Sequence, residues 1–177
     1  MATSDLPPAR SSGRYSIALV CLGNICRSPM AERVLRAGVA RGGLDGRVHV
    51  SSSGTSDAHS GDPMDHRAAA TLASHGYDPS DHRATHFEPG RLPDLDLVLA
   101  MDLANHSTIT RTAHPDHHDR VMLFRDFDPL GPGGEVPDPY YGGSAGFEEV
   151  LSMVERTCSE LVRALRTELR VSAEIDA

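Results

Sequence analysis

The sequence predicts an α/β fold in which one parallel sheet carries helices on both faces. Four short apolar runs, at 14–20, 47–51, 94–101 and 120–124, read as buried strands. Segments of helical spacing or helical potential separate them and close the chain. Strands that alternate with helices pair in parallel through right-handed crossovers, which places helices on both sides of the sheet. At 177 residues the chain is long enough for one full core, and it contains no internal repeat.

The elements follow in order. Residues 1–13, "MATSDLPPARSSG", are rich in Pro and Ser and read as a disordered tail before a domain spanning 14–171. "RYSIALV" is the first strand. Ala31, Val34, Leu35, Gly38 and Val39 then recur at helical spacing until "RGGLDG" stops the helix. "RVHVS" is the second strand. Asp65 is placed to cap a helix with Ala68, Ala69, Leu72 and Ala73 on its inner face, ended by Gly76.

"DLDLVLAM" and "RVMLF" supply two more strands, with a polar, potentially helical segment over 102–111 between them. Residues 125–143 hold too much Pro and Gly for regular structure. A loop that long in a compact domain is usually functional or disordered, and the tyrosines after Asp138 and Pro139 favour an ordered, functional end. The last helix spans about 145–170, with Phe147, Val150, Leu151, Val154, Cys158, Leu161, Val162, Leu165 and Leu169 as its apolar stripe. Residues 172–177 are left as a C-terminal tail.

Composition narrows the function. A net charge of −8 argues against a general nucleic-acid binder. No apolar stretch approaches a membrane span, and the N-terminus lacks the apolar region of a secretory signal. Three cysteines do not make a disulfide framework, so a reducing, cytoplasmic setting is expected. The histidines of "HPDHH" (His114, His117, His118) have no zinc-like spacing and read as a solvated connection. Cys158 reads as a packed core thiol.

The stretch that carries chemistry is "VCLGNICRSPMAE", from Val20 to Glu32. It joins the first strand to the first helix, the position at which open α/β sheets bind ligands. A loop there aims backbone N–H groups at an anion, and the helix dipole adds to the attraction. Gly23 permits an unusual φ, and Asn24 is the next most tolerant residue type; Ser28 and Pro29 suit a helix start. Cys21 opens the loop and Arg27 closes it. Helix N-termini and neighbouring cations favour a thiolate, and arginine grips two phosphoryl oxygens at once. With 17 arginines in the chain, Cys-x5-Arg alone is weak; the glycine, asparagine, serine and proline around it make it specific.

These residues, together with "SSSGT", "MDLAN", "DPYYGG" and "GFEEV", resemble the low-molecular-weight protein tyrosine phosphatases over nearly the whole chain after the tail. The resemblance implies a four-stranded parallel sheet with the phosphate-binding loop after its first strand. It implies Cys21 as the nucleophile of a phosphocysteine intermediate, Arg27 as the phosphate clamp and Asp138 as general acid, then base. Asn24 and Ser28 would hold the loop, which Leu22, Gly23, Ile25 and Cys26 complete. Tyr140 and Tyr141 would form the aromatic rim, and Cys26 would capture the oxidised nucleophile, unless it is only a packed hydrophobe. The expected substrates are phosphotyrosine proteins, with inorganic phosphate as product and inhibitor and no cofactor or metal.

One departure stands out. The frame Gly61 to Ala68 matches the family's variable loop, but Ala58 falls where many relatives carry an aromatic residue. His59 is the nearest substitute for that wall of the aryl slot. Competing functions are weaker. An arsenate reductase needs resolving cysteines, and only Cys26 and Cys158 remain; phosphoarginine phosphatases carry threonine where Ile25 stands. A phosphotyrosine-binding module needs neither a nucleophile nor an acid.

Overall fold

The computed structural model describes residues 5–175. Its sheet has four parallel strands, β1 (Tyr15–Cys21), β2 (Val48–Gly54), β3 (Leu97–Ala100) and β4 (Val121–Leu123), in the order β2-β1-β3-β4. The helices are α1 (Arg27–Arg41), α2 (His66–Ser74), α3 (Leu103–Thr112) and α4 (Ser144–Ile175).

Period-two alternation sends the strand side chains into two cores. Tyr15, Ile17, Leu19, Leu97 and Leu99 face α1, α2 and α4, where they meet Met30, Leu35, Leu72, Phe147 and Leu161. Ala18, Val20, Val98 and Ala100 face the other way, toward Ile109 of α3 and Leu92. Both faces of the central strands are therefore buried, which explains their nearly unbroken apolar character. Helices α1 and α4 approach closely because a Cβ at Gly38 would lie 3.0 Å from Val162. A larger residue there would push the two helices apart.

Three local details differ from the sequence expectation. Residues 5–13 are packed against the domain: Ala9 N–H donates to Glu168 Oε1, Arg10 N–H donates to Asp96 Oδ1, and Tyr15 Oη donates to the Pro7 carbonyl. Leu6 rests on the core as well. The expected disordered tail is corrected over these residues, and 1–4 lie outside the described ones. Helix α4 continues to Ile175, so 172–175 extend the helix, and 176–177 lie outside the described residues. The "HPDHH" connection forms a short 3-10 helix, Pro115–Arg120, that His114 caps by accepting from Asp116 N–H. Asp65 and Asp102 cap α2 and α3 by accepting from Arg67 and Asn105 N–H groups.

Candidate active site

All four strands run in one direction, so the loops that follow β1, β2 and β3 gather at one edge of the sheet. The loop after β1 packs directly on the end of β2. A Cβ at Gly54 would lie 2.6 Å from the Leu22 carbonyl oxygen and 3.1 Å from Asn24 N, so only glycine fits there. Asn24 takes the left-handed conformation at φ 56°, whereas Gly23 does not. The asparagine, rather than the glycine, turns the loop.

Asn24 is fully buried and satisfied on every side. Its backbone N–H points at Cys21 Sγ (3.2 Å), and its Nδ2 donates to Ser28 Oγ (2.9 Å) and Ser52 Oγ (3.0 Å). Its Oδ1 accepts from Thr85 N–H (2.9 Å), and its carbonyl pairs with His82 Nε2 at 2.7 Å. Burial lowers the pKa of His82, so the neutral ring donates through Nε2.

Ser28 Oγ lies 3.0 Å from Cys21 Sγ. The Asn24 N–H and the Ser28 hydroxyl are thus both placed to bond the sulfur, with the Ser53 carbonyl 3.3 Å from the same hydroxyl. The N-cap residue of α1, Cys26, makes no side-chain capping bond. The first-turn N–H groups of α1 are left for a ligand.

Arg27 is 3% exposed. Its NH1 donates to Asp102 Oδ2 (2.7 Å) and to the Val136 carbonyl (3.1 Å), while NH2 lies 3.5 Å from Asp138 Oδ2. Burial opposes the charge, but Cys21, Asp102 and Asp138 outweigh it and raise the guanidinium pKa further, so Arg27 stays cationic. With NH1 committed, the Nε and NH2 edge remains to grip two oxygens of an anion. Asp102 and Ser56, which lines the cleft, are site residues that sequence reasoning missed. The sequence placed Asp102 only at the start of a potentially helical segment, with nothing to show its reach to Arg27.

The cleft encloses about 170 Å³. Cys21, Leu22, Gly23, Ile25, Cys26 and Arg27 form its floor, Ser56, Ala58 and His59 one wall, and Asp138, Tyr140 and Tyr141 the other. Asn24 and Ser28 stand behind the floor. Ala58 leaves its wall low, and the His59 ring stands 6.4 Å from that of Tyr140. Tyr141 is almost fully exposed, with its ring edge-on to Tyr140 at 4.9 Å.

Cys26 lies beneath the loop, 5% exposed, and burial pushes its thiol up to about 12. Cys158 is buried between α4 and α1 against the Ala31 carbonyl, and burial raises its pKa too. Among the described residues no group of acids, histidines and cysteines is arranged to hold a metal, and no helix is long and apolar enough to cross a membrane.

The family model described as low molecular weight phosphotyrosine protein phosphatase matches residues 16–171. A low molecular weight protein-tyrosine-phosphatase of Streptomyces coelicolor is 46% identical over 159 residues, covering 88% of this chain and 96% of that one. The crystal structure of YfkJ from Bacillus subtilis superposes with a TM-score of 0.82 at 32% identity, covering 90% and 99% of the two chains. Vibrio vulnificus Wzb, solved in complex with benzylphosphonate, superposes with a TM-score of 0.74 at 25% identity, covering 85% and 99%. Sequence and fold agree over almost the full domain: the chain belongs to the low molecular weight phosphotyrosine protein phosphatase family of hydrolases.

Proposed function

We propose that the protein hydrolyses phosphotyrosine in proteins through a phosphocysteine intermediate, in the cytoplasm and without a metal. The observation that carries this reading is the convergence of Cys21, Arg27 and Asp138 on one cleft.

The phosphoryl group sits over the loop after β1, its oxygens on the backbone N–H groups and the Nε and NH2 edge of Arg27. Cys21 attacks phosphorus as the thiolate, and the bond to the aryl oxygen breaks. The Asp138 carboxyl gives its proton to that departing oxygen, since a protonated phenol is the better leaving group. In the second half the Asp138 carboxylate takes a proton from water, whose oxygen attacks phosphorus. The S–P bond breaks, returning the thiolate and inorganic phosphate. Phosphoryl transfer depends mostly on positioning and charge stabilisation, which an N–H cradle and one arginine supply.

The arriving phosphoryl group takes over the NH2 donors of Arg27 and so releases Asp138 from its ion pair. Asp102 keeps the guanidinium in place during that exchange. The aryl ring lies between Tyr140 and the His59 wall; the Vibrio relative solved with benzylphosphonate supports an aryl-bearing substrate. The phosphate product competes for the same cradle and inhibits. Cys26 serves as the resolving thiol when Cys21 is oxidised.

Turnover of p-nitrophenyl phosphate in the presence of a chelator tests the metal-free chemistry, and Asp138→Asn tests the acid. The variant is expected to lose roughly 10²–10⁴-fold in kcat/KM on phenyl phosphate and much less on p-nitrophenyl phosphate. Equal losses on the two substrates would make Asp138 a structural residue.

A further inference from the structure

Arg67, on the first turn of α2, links the two sides of the cleft, one directly and the other through Asp65, without lining it. Its base is fixed by Asp65, whose Oδ1 accepts from Arg67 N–H (2.8 Å) and Nε (3.1 Å) and whose Oδ2 accepts from NH2 (2.9 Å). Asp65 in turn donates its backbone N–H to the Ile25 carbonyl of the loop after β1 at 2.9 Å. From this base the guanidinium reaches over. NH1 donates to the Gly142 carbonyl (3.3 Å), and Cζ lies 5.5 Å above the Tyr140 ring and 4.9 Å above that of Phe147. Tyr140 N–H donates to Asp138 Oδ1 at 3.1 Å, so the turn that Arg67 grips is the turn that aims the carboxylate.

We propose that Arg67 is a positioning residue, a strut that holds the 138–142 turn against the loop after β1 and so keeps Asp138 aimed at the leaving-group oxygen. This rests on the reading of Asp138 as the acid. Phe147 belongs to the hydrophobic core, so the guanidinium is clamped between a buried ring and the partly exposed ring of Tyr140. The arrangement needs a flat cation that stacks on rings while its edges donate, which arginine supplies and lysine does only in part.

The two roles of Arg67, ballast for the fold and strut for the acid, differ in one readout. A purely structural loss lowers kcat/KM equally for all aryl phosphates. A misaimed acid penalises poor leaving groups, and a displacement of about 1 Å costs up to about 10²-fold.

Arg67→Ala, Arg67→Lys and Asp138→Asn are compared on phenyl phosphate and p-nitrophenyl phosphate, with thermal melting of each variant. The expected result for Arg67→Ala is a roughly 10–100-fold loss on phenyl phosphate and a loss below about threefold on p-nitrophenyl phosphate. Arg67→Lys should fall between Arg67→Ala and wild type, and it reads the same leaving-group ratio if the alanine variant does not fold. Adding Arg67→Ala to Asp138→Asn should leave that ratio unchanged, because the strut acts only through the carboxylate. Equal losses on both substrates, beside a leaving-group-dependent loss in Asp138→Asn, overturn the strut alone. Equal losses in Asp138→Asn itself overturn the acid assignment and the strut with it.

Discussion

Removing Asp128 should loosen the root of the long loop that delivers Asp138. Its side chain is fully buried and takes four donors: Arg156 Nε (2.7 Å) and Leu130 N–H (3.0 Å) on Oδ1, Arg156 NH2 (2.8 Å) and Arg125 Nε (2.8 Å) on Oδ2. Burial alone would raise this carboxyl, but Arg156, Leu130 and Arg125 outweigh it and hold the pKa at about 2 instead of 3.8. At about 1.4 kcal/mol per tenfold in proton affinity, the ionised form contributes roughly 2 kcal/mol to stability.

Because the folded-state value is the lower one, that contribution is complete above about pH 5 and drains away as the pH falls from about 4 toward 2. Asp128→Ala also removes the carboxylate partner of two partly buried guanidinium groups, so the total loss at neutral pH should be roughly 3–5 kcal/mol. For a chain of this size that lowers Tm by about 6–20 °C. Denaturant melts of wild type and Asp128→Ala across pH 2.5 to 7 (about six points) measure it. The gap between the two curves should narrow on acidification. A gap under about 1 kcal/mol at neutral pH, or one that ignores pH, would mean that Asp128 is not held ionised by its arginines.

Two further outcomes follow from the cleft. Peroxide should inactivate the enzyme and dithiothreitol restore it, with Cys21 joined to Cys26 in peptide maps, because a sulfenic acid condenses with a nearby thiol. In Cys26→Ser the inactivation should become largely irreversible, whereas recovery equal to wild type would leave Cys26 a packing residue. Ala58→Trp should lower KM for aryl phosphates with kcat changed less, since the added wall holds the ring in ground and transition states alike. An unchanged KM would mean that this wall does not touch the ring.

What the sequence made legible was local. The four strands announce themselves because both sheet faces are covered, and the loop after β1 because its glycine, asparagine, serine and arginine are contiguous. Asp102 was readable only as the first residue of a potentially helical segment, and Arg67 as a member of the Gly61 to Ala68 frame. Their partners, Arg27 and the 138–142 turn, lie far along the chain, and no periodicity encodes such a reach. Residues 5–13 misled for a different reason. They are held mainly by hydrogen bonds to Asp96 and Glu168, so a Pro- and Ser-rich composition does not betray their packing. In the loop itself, the left-handed turn at Asn24 is stabilised by bonds to Ser28, Ser52 and Thr85 that only the folded chain supplies.

The central claim is that phosphorus passes through the sulfur of Cys21. The direct measurement is to denature the enzyme during steady-state turnover of p-nitrophenyl phosphate and to locate any bound phosphoryl group by phosphorus NMR and peptide mass. One phosphoryl group is expected, on the peptide carrying Cys21, and neither adduct nor turnover in Cys21→Ser, because a serine hydroxyl there is scarcely ionised. Sustained turnover in Cys21→Ser, or a phosphoryl group carried by any other residue, would contradict it.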